Sequence, residues 1–135
     1  MQTFLKNWTT AQLATLPDEM PPFVAEATAQ VLEHLQEAGF HTPQLAAALS
    51  LSREQLWRKL EKTASLPPHA FIRDWRLRAA HALLLAFPTQ RVWAVGQCAG
   101  FENPEHFAKA FKDMFGESPR KYRTNFLAKE QDATK

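Results

Sequence analysis

A pattern that occurs twice, about 50 residues apart, constrains this chain more than any single motif. The first copy runs Leu45-Ala46 to Leu51, then Ser52, Leu56, Arg58, Leu60, Pro68 and Phe71. The second runs Val95-Gly96 to Phe101, then Asn103, Phe107, Lys109, Phe111, Pro119 and Tyr122. The offset is 50 before the loop and 51 after it, so one residue is inserted at the turn. A fixed period of this size means that one supersecondary unit is used twice. Each copy reads as a short helix, a tight turn and a second helix opened by a capping residue. Two helix-turn-helix units in one small chain point at DNA.

Length and composition narrow the rest. At 135 residues the chain is one domain, or two small subdomains around a shared helix. Apolar residues make up 45%, enough for a packed core and too many for a disordered segment. The single cysteine, Cys98, allows no intrachain disulfide and no cysteine-based metal site. There is no basic segment leading an apolar core at the N-terminus. No run approaches the ~18 apolar residues of a membrane span, so a cytoplasmic protein without a membrane partner is expected. The net charge is only +2, but its distribution is uneven. Residues 1–51 carry one Lys against five acids, for −4, and residues 52–135 carry fifteen Lys/Arg against nine acids, for +6. A basic half of this kind suits a polyanion.

Residues 1–20 are polar with scattered Phe4, Leu5, Trp8, Leu13 and Leu16, and read as a linker or N-terminal extension, or a weak amphipathic turn, ordered only if they dock. Pro21-Pro22 open a helix whose apolar residues Phe23, Val24, Ala27, Val31, Leu32 and Leu35 recur at three and four, ending at Gly39. The patterned domain spans 21–127. Its first helix-turn-helix covers about 42–63, with Thr42 as N-cap, a turn at Ser50-Leu51 and Ser52 capping the second helix over Leu56, Leu60 and Thr63. A long helix over 69–86 follows; its apolar residues wrap past one stripe, as expected for packing on both sides. The second helix-turn-helix covers about 91–115, with Gly100-Phe101 in the turn, Asn103 as cap and Phe107, Ala110, Phe111 and Met114 facing inward. A short turn begins at Pro119, and 128–135 reads as a disordered tail. No segment reads as a strand, so the fold class is all-α.

The string Val95-Gly96-Gln97-Cys98-Ala99-Gly100-Phe101, then Pro104, Phe107, Phe111, Phe115-Gly116, Ser118-Pro119 and Tyr122-Arg123, closely resembles the signature of AraC/XylS-type transcription regulators. The first unit agrees through Leu45-Ala46, Leu51-Ser52-Arg53, Gln55-Leu56, Arg58-Lys59-Leu60, Phe71-Ile72-Arg73, Arg76-Leu77 and Ala80. The match covers roughly 23–124. The resemblance implies about seven helices, two helix-turn-helix subdomains bridged by a long linker helix. The stretch from Ser52 to Leu60 looks most like the output domains of hybrid two-component sensors or receiver-bearing regulators. The chain then reads as a stand-alone small regulator or as the excised C-terminal piece of a longer one. Three positions depart from the pattern: Ser50 and Ser65 stand where Gly is common, and Gly96 where Ala is usual.

The exposed early face of each second helix supplies the candidate DNA contacts, because such a helix fits the major groove. In the first unit these are Arg53, Glu54, Gln55, Trp57, Arg58 and Lys59. Arg pairs bidentately with guanine, Gln suits adenine, Glu accepts from cytosine and an aromatic packs on a thymine methyl. A solvated helix face would explain the charges but not a Trp among them. In the second unit they are Asn103, Glu105, His106 and Lys109, with Ala108 offering only a methyl, so this helix reads fewer bases. Lys112, Arg120 and Lys121 lie near helix ends, where phosphates are commonly gripped. Of Arg73, Arg76 and Arg78 on the linker helix, at least one is expected to be a structural ion-pair partner for Asp74 or Glu61. The five histidines form no i,i+4 pair, so neither a metal nor another cofactor is expected, and Cys98 reads as a small buried apolar residue. No catalytic constellation is present in the sequence pattern. The expected partners are double-stranded DNA and, as a candidate, RNA polymerase, with the isolated domain a monomer. A helical module for protein–protein docking or dimerisation is the alternative.

Overall fold

The computed structural model describes residues 1–133, and within them every regular element is a helix. The order is α1 (Gln2–Ala14), α2 (Pro22–Glu33), α3 (Thr42–Ala48), α4 (Arg53–Ala64), α5 (Pro68–Ala86), α6 (Val92–Cys98), α7 (Pro104–Phe115) and α8 (Pro119–Ala133). Helices α3 and α4 form the first helix-turn-helix, and α6 and α7 the second. The linker helix α5 lies between, packed against every other helix. That position explains its sequence: Phe71, Ile72, Leu77, Ala79, Ala80, Leu83 and Leu84 are all buried and spread around most of its circumference.

The repeat extends to the backbone. Ser50 and Gly100 end α3 and α6 at φ 57° and 97°, and Ser65 and Gly116 end α4 and α7 at φ 57° and 89°. Each first helix closes with the same backbone bond, Leu51 N–H to Ala46 O at 2.9 Å and Phe101 N–H to Gly96 O at 3.0 Å. The left-handed residue thus turns the chain sharply enough to bring the next helix across the first. Where the units differ is packing: Leu56 and Leu60 fill the first, whereas Phe107 and Phe111 fill the second. Gly96 follows from this difference, since a Cβ there would lie 2.7 Å from the Phe107 ring.

Four expectations are corrected. Residues 2–14 are a helix rather than a linker, held by Leu5, which is buried, and by edge-on contacts of Trp8 with Trp75 and Phe4 with Phe87. Helix α2 stops at Glu33, five residues before Ala38, and the chain turns so that the carbonyls of Glu37 and Phe40 face Arg76. His41, not Thr42, is the N-cap of α3, and its N–H donates to Gln44 Oε1. Helix α8 continues through Ala133, so the expected tail at 128–135 is helical as far as it is described; residues 134–135 lie outside the described residues.

Candidate nucleic-acid interface

Helix α4 begins with a reciprocal cap. Ser52 Oγ accepts from Gln55 N–H at 3.1 Å, and Gln55 Oε1 accepts from Ser52 N–H at 2.9 Å. This satisfies two of the donors that a helix start leaves free and fixes the entry angle of the helix. It also commits the Gln55 carbonyl oxygen to the cap, leaving only its amide N–H donors for another partner. Leu56 and Leu60 are buried, so the outer face is set: Arg53, Glu54, Trp57 and Arg58 are all exposed. Trp57 is 49% exposed, more than Leu13 or Met114. Arg58 lies 3.9 Å from Glu54 one turn earlier, a long contact in solvent that restrains the Arg only weakly. Lys59 is turned aside, with Nζ 5.2 Å from the Phe23 ring centroid of α2.

Helix α7 begins with Asn103 Oδ1 accepting from His106 N–H at 2.9 Å and Pro104 in its first turn. Glu105, His106, Lys109 and Lys112 are exposed and Ala108 is half-buried, so its outer face carries fewer large donors than that of α4. Met114, expected inward, is 37% exposed. The inner row of α7 runs by fours, Phe107, Phe111 and Phe115, because Phe115 packs against His81 and Tyr122 and takes the space. Arg120 and Lys121 lie exposed in the first turn of α8.

The linker arginines have separate roles that the sequence did not distinguish. Arg73 sits 3.6 Å from Asp74, and Arg78 lies over the Trp75 ring. Arg76 is buried, with Nη2 donating to the carbonyls of Glu37 and Phe40 at 2.8 and 2.9 Å. Burial lowers its pKa, and the nearby Glu102 carboxylate opposes that shift. Cys98 is half-buried rather than enclosed, and burial raises its thiol pKa, which keeps it protonated. Arg123 was missed as a structural residue; it donates to Gln90 O at 2.7 Å and ties α8 to the α5–α6 connection. A cleft of about 390 Å³ between the units is lined by His41, His69, Arg73, Glu102 and His106. Nothing in the sequence signals this cleft, because its residues come from three separate stretches. Among the described residues no group of His, Cys, Asp and Glu is arranged to hold a metal ion, and no helix is long and apolar enough to cross a membrane.

A family profile described as a helix-turn-helix domain matches residues 45–125, which covers both units and the linker helix. The chain belongs to the AraC/XylS-type helix-turn-helix family. Relatives of known name agree with that placement. The HTH-type transcriptional regulator MtrA of Neisseria gonorrhoeae is 38% identical over 87 residues, 64% of this chain and 29% of that protein. The transcriptional activator NphR of Rhodococcus is 33% identical over 91 residues, 67% of this chain and 27% of that protein. The chain thus spans less than a third of the length of these AraC/XylS relatives. Among solved structures, the DNA-binding domain of AdpA in complex with a target DNA superposes with a TM-score of 0.71. It is 30% identical, and the match covers 78% of this chain and 94% of that one. An AraC-type regulator from Chromobacterium violaceum superposes at 0.69 with 25% identity, covering 76% of this chain and 90% of that one.

Proposed function

We propose that this chain is the sequence-specific DNA-binding domain of a bacterial transcription regulator, which inserts α4 and α7 into successive major-groove segments of double-stranded DNA. The observation that carries the reading is the outer face of α4. A half-exposed Trp57 stands among Arg53, Glu54 and Arg58 on a helix whose other face is locked into the core. A face built only for solvation gains nothing from an exposed indole, whereas a groove-reading face gains apolar contact with a base or sugar. The AdpA domain, similar across most of this chain, is bound to DNA in its own structure. In this reading Arg53 and Arg58 take guanine edges, Glu54 accepts from cytosine, and Gln55 offers its amide N–H. On α7, His106 and Lys109 reach the bases, with Asn103 and Glu105 beside them. Lys59, Lys112, Arg120 and Lys121 contact phosphates and position the protein. The domain acts as a monomer in the cytoplasm, and RNA polymerase is a second candidate partner.

A mobility-shift assay on a duplex selected from a random library, repeated over a salt series, tests this. The expected result is a log–log slope of roughly −0.9 per neutralised phosphate, with the selected duplex bound at least ~10³-fold more tightly than a scrambled one. A flat salt response with no preference among duplexes would favour a protein-docking module instead.

A further inference from the structure

The second helix-turn-helix unit meets the segment that leads into the first at a junction beside the linker helix. On one side is the connection between α2 and α3; on the other is the turn between α6 and α7. Arg76 of α5 stands between them, 5% exposed. Its Nη2 holds the Glu37 and Phe40 carbonyls of the α2–α3 connection. Its Nε has no hydrogen-bond partner and lies against Gly100 of the second. A Cβ on Gly100 would come within 2.3 Å of the Leu35 carbonyl oxygen and 2.6 Å of Arg76 Nε. The second unit's turn is therefore seated against the backbone that leads from α2 into the first unit, with no room for a Cβ. At the outer edge of the same junction, His41 Nε2 and Glu102 Oε1 are 2.6 Å apart, again one residue from each unit.

We propose that this junction fixes the mutual orientation of α4 and α7, so that the domain accepts its two half-sites at one spacing only, with Arg76 the positioning residue. The inference rests on the DNA-binding reading and adds to it what selects the spacing. The physical case is leverage and stiffness. A guanidinium is a flat, rigid fork, and one that is buried must keep its partners or leave a charge and two carbonyls unpaired. Gly100 keeps the contact at backbone distance, with no flexible side chain to absorb a rotation. Adding one base pair between half-sites turns the second groove by about 35° around the DNA axis. A pair of units locked at backbone contact does not follow such a turn.

The test uses the full chain and a set of duplexes in which the selected site has its half-site spacing shortened or lengthened by one or two base pairs, plus each half-site alone. Three proteins are compared with the wild type: Arg76→Met, which keeps the buried length but removes the donors; Gly100→Ala; and the surface double variant His41→Ala with Glu102→Ala. The wild type should lose roughly tenfold or more in affinity for a one-base-pair change, the size of a mismatch penalty. Arg76→Met and Gly100→Ala should bind all spacings within a factor of about three of one another, with each half-site alone bound as by the wild type. The surface double variant, which leaves the buried contacts in place, should keep the wild-type profile. Melting curves establish which variants are folded. If Arg76→Met and Gly100→Ala do not fold, Arg76→Lys decides, since it keeps the buried charge and a donor but loses the planar fork. A folded Arg76 or Gly100 variant that keeps the wild-type spacing profile would overturn the proposal, and so would a wild type indifferent to spacing. Failure of the DNA reading itself looks different: the wild type would not distinguish the selected duplex from a scrambled one.

Discussion

At the scale of single residues, the four left-handed positions divide into two kinds. Ser50 and Ser65 adopt φ 57° on exposed turns where a glycine would fit with less strain. Gly100 needs both its φ of 97° and the space of a missing Cβ. Ser65→Gly should therefore raise stability by roughly 0.5–1 kcal/mol, the relief of a left-handed L-residue less the added freedom of the unfolded chain. Gly100→Ala should lower it by more than ~2 kcal/mol, because strain and overlap with the Leu35 carbonyl act together. Thermal melts of both variants check the contrast, and equal shifts would show that φ alone matters. Trp57 separates folding from function in the same way. Trp57→Ala should move stability by no more than ~0.5 kcal/mol, since it leaves the core row untouched, while weakening binding to the selected duplex. This exposure was legible in the sequence, as Trp57 lies about 100° round from the buried Leu56. The roles of Arg73, Arg76 and Arg78 were not, because three arginines on one helix have the same local pattern and differ only in what the rest of the chain brings to them.

Among the elements, the units and the linker helix were legible because their apolar periods are long and their caps are explicit, as with Ser52 and Asn103. Helix α1 was not. Its apolar residues are few, and its stability comes from docking on α2 and α5 rather than from its own sequence, as is usual for short helices. Leu5→Ala should cost about 2–5 kcal/mol, the range for a buried Leu, where a linker residue would cost almost nothing. Denaturant unfolding measures this directly. The packing of α8 introduces a dependence on pH. His81 of α5 stacks on Phe111 and Phe115 and meets the Tyr122 ring edge-on, with Nε2 3.0 Å from the Tyr122 hydroxyl. Burial lowers its pKa from the ordinary 6.5. The unfolded chain then takes up the proton first as pH falls, so the contribution is fully present above about 6.5 and is lost as pH drops below it. Denaturation at pH 7.5 and at pH 5 should show wild type losing more stability than His81→Phe. Equal losses would mean that this ring does not resist charging.

The whole molecule places two unlike reading heads on one chain. Helix α4 presents Arg53, Glu54, Trp57 and Arg58, and α7 presents Glu105, His106 and Lys109, so the two outer faces differ although the backbone repeats. A dimeric helix-turn-helix protein reads a palindrome because the same helix meets DNA twice; under the proposed function, different side chains would meet successive grooves. The bound site should therefore be asymmetric, two segments about one helical turn (~34 Å) apart, covered by a single chain. Substitutions should act on one segment each. Arg58→Ala should cost ~1–3 kcal/mol on the selected site and relax base preference in the α4 segment alone, with little loss on random DNA. Lys109→Ala should leave that segment unchanged and weaken protection of the other. Hydroxyl-radical footprints and repeated selections with each variant separate these outcomes. If Arg58→Ala changed both segments equally, or weakened selected and random DNA alike, Arg58 would be a phosphate contact and α4 would position the domain without reading it. Protection of a single groove segment by the wild type would mean that only one of the two helices enters DNA, and the backbone repeat would then serve packing rather than recognition.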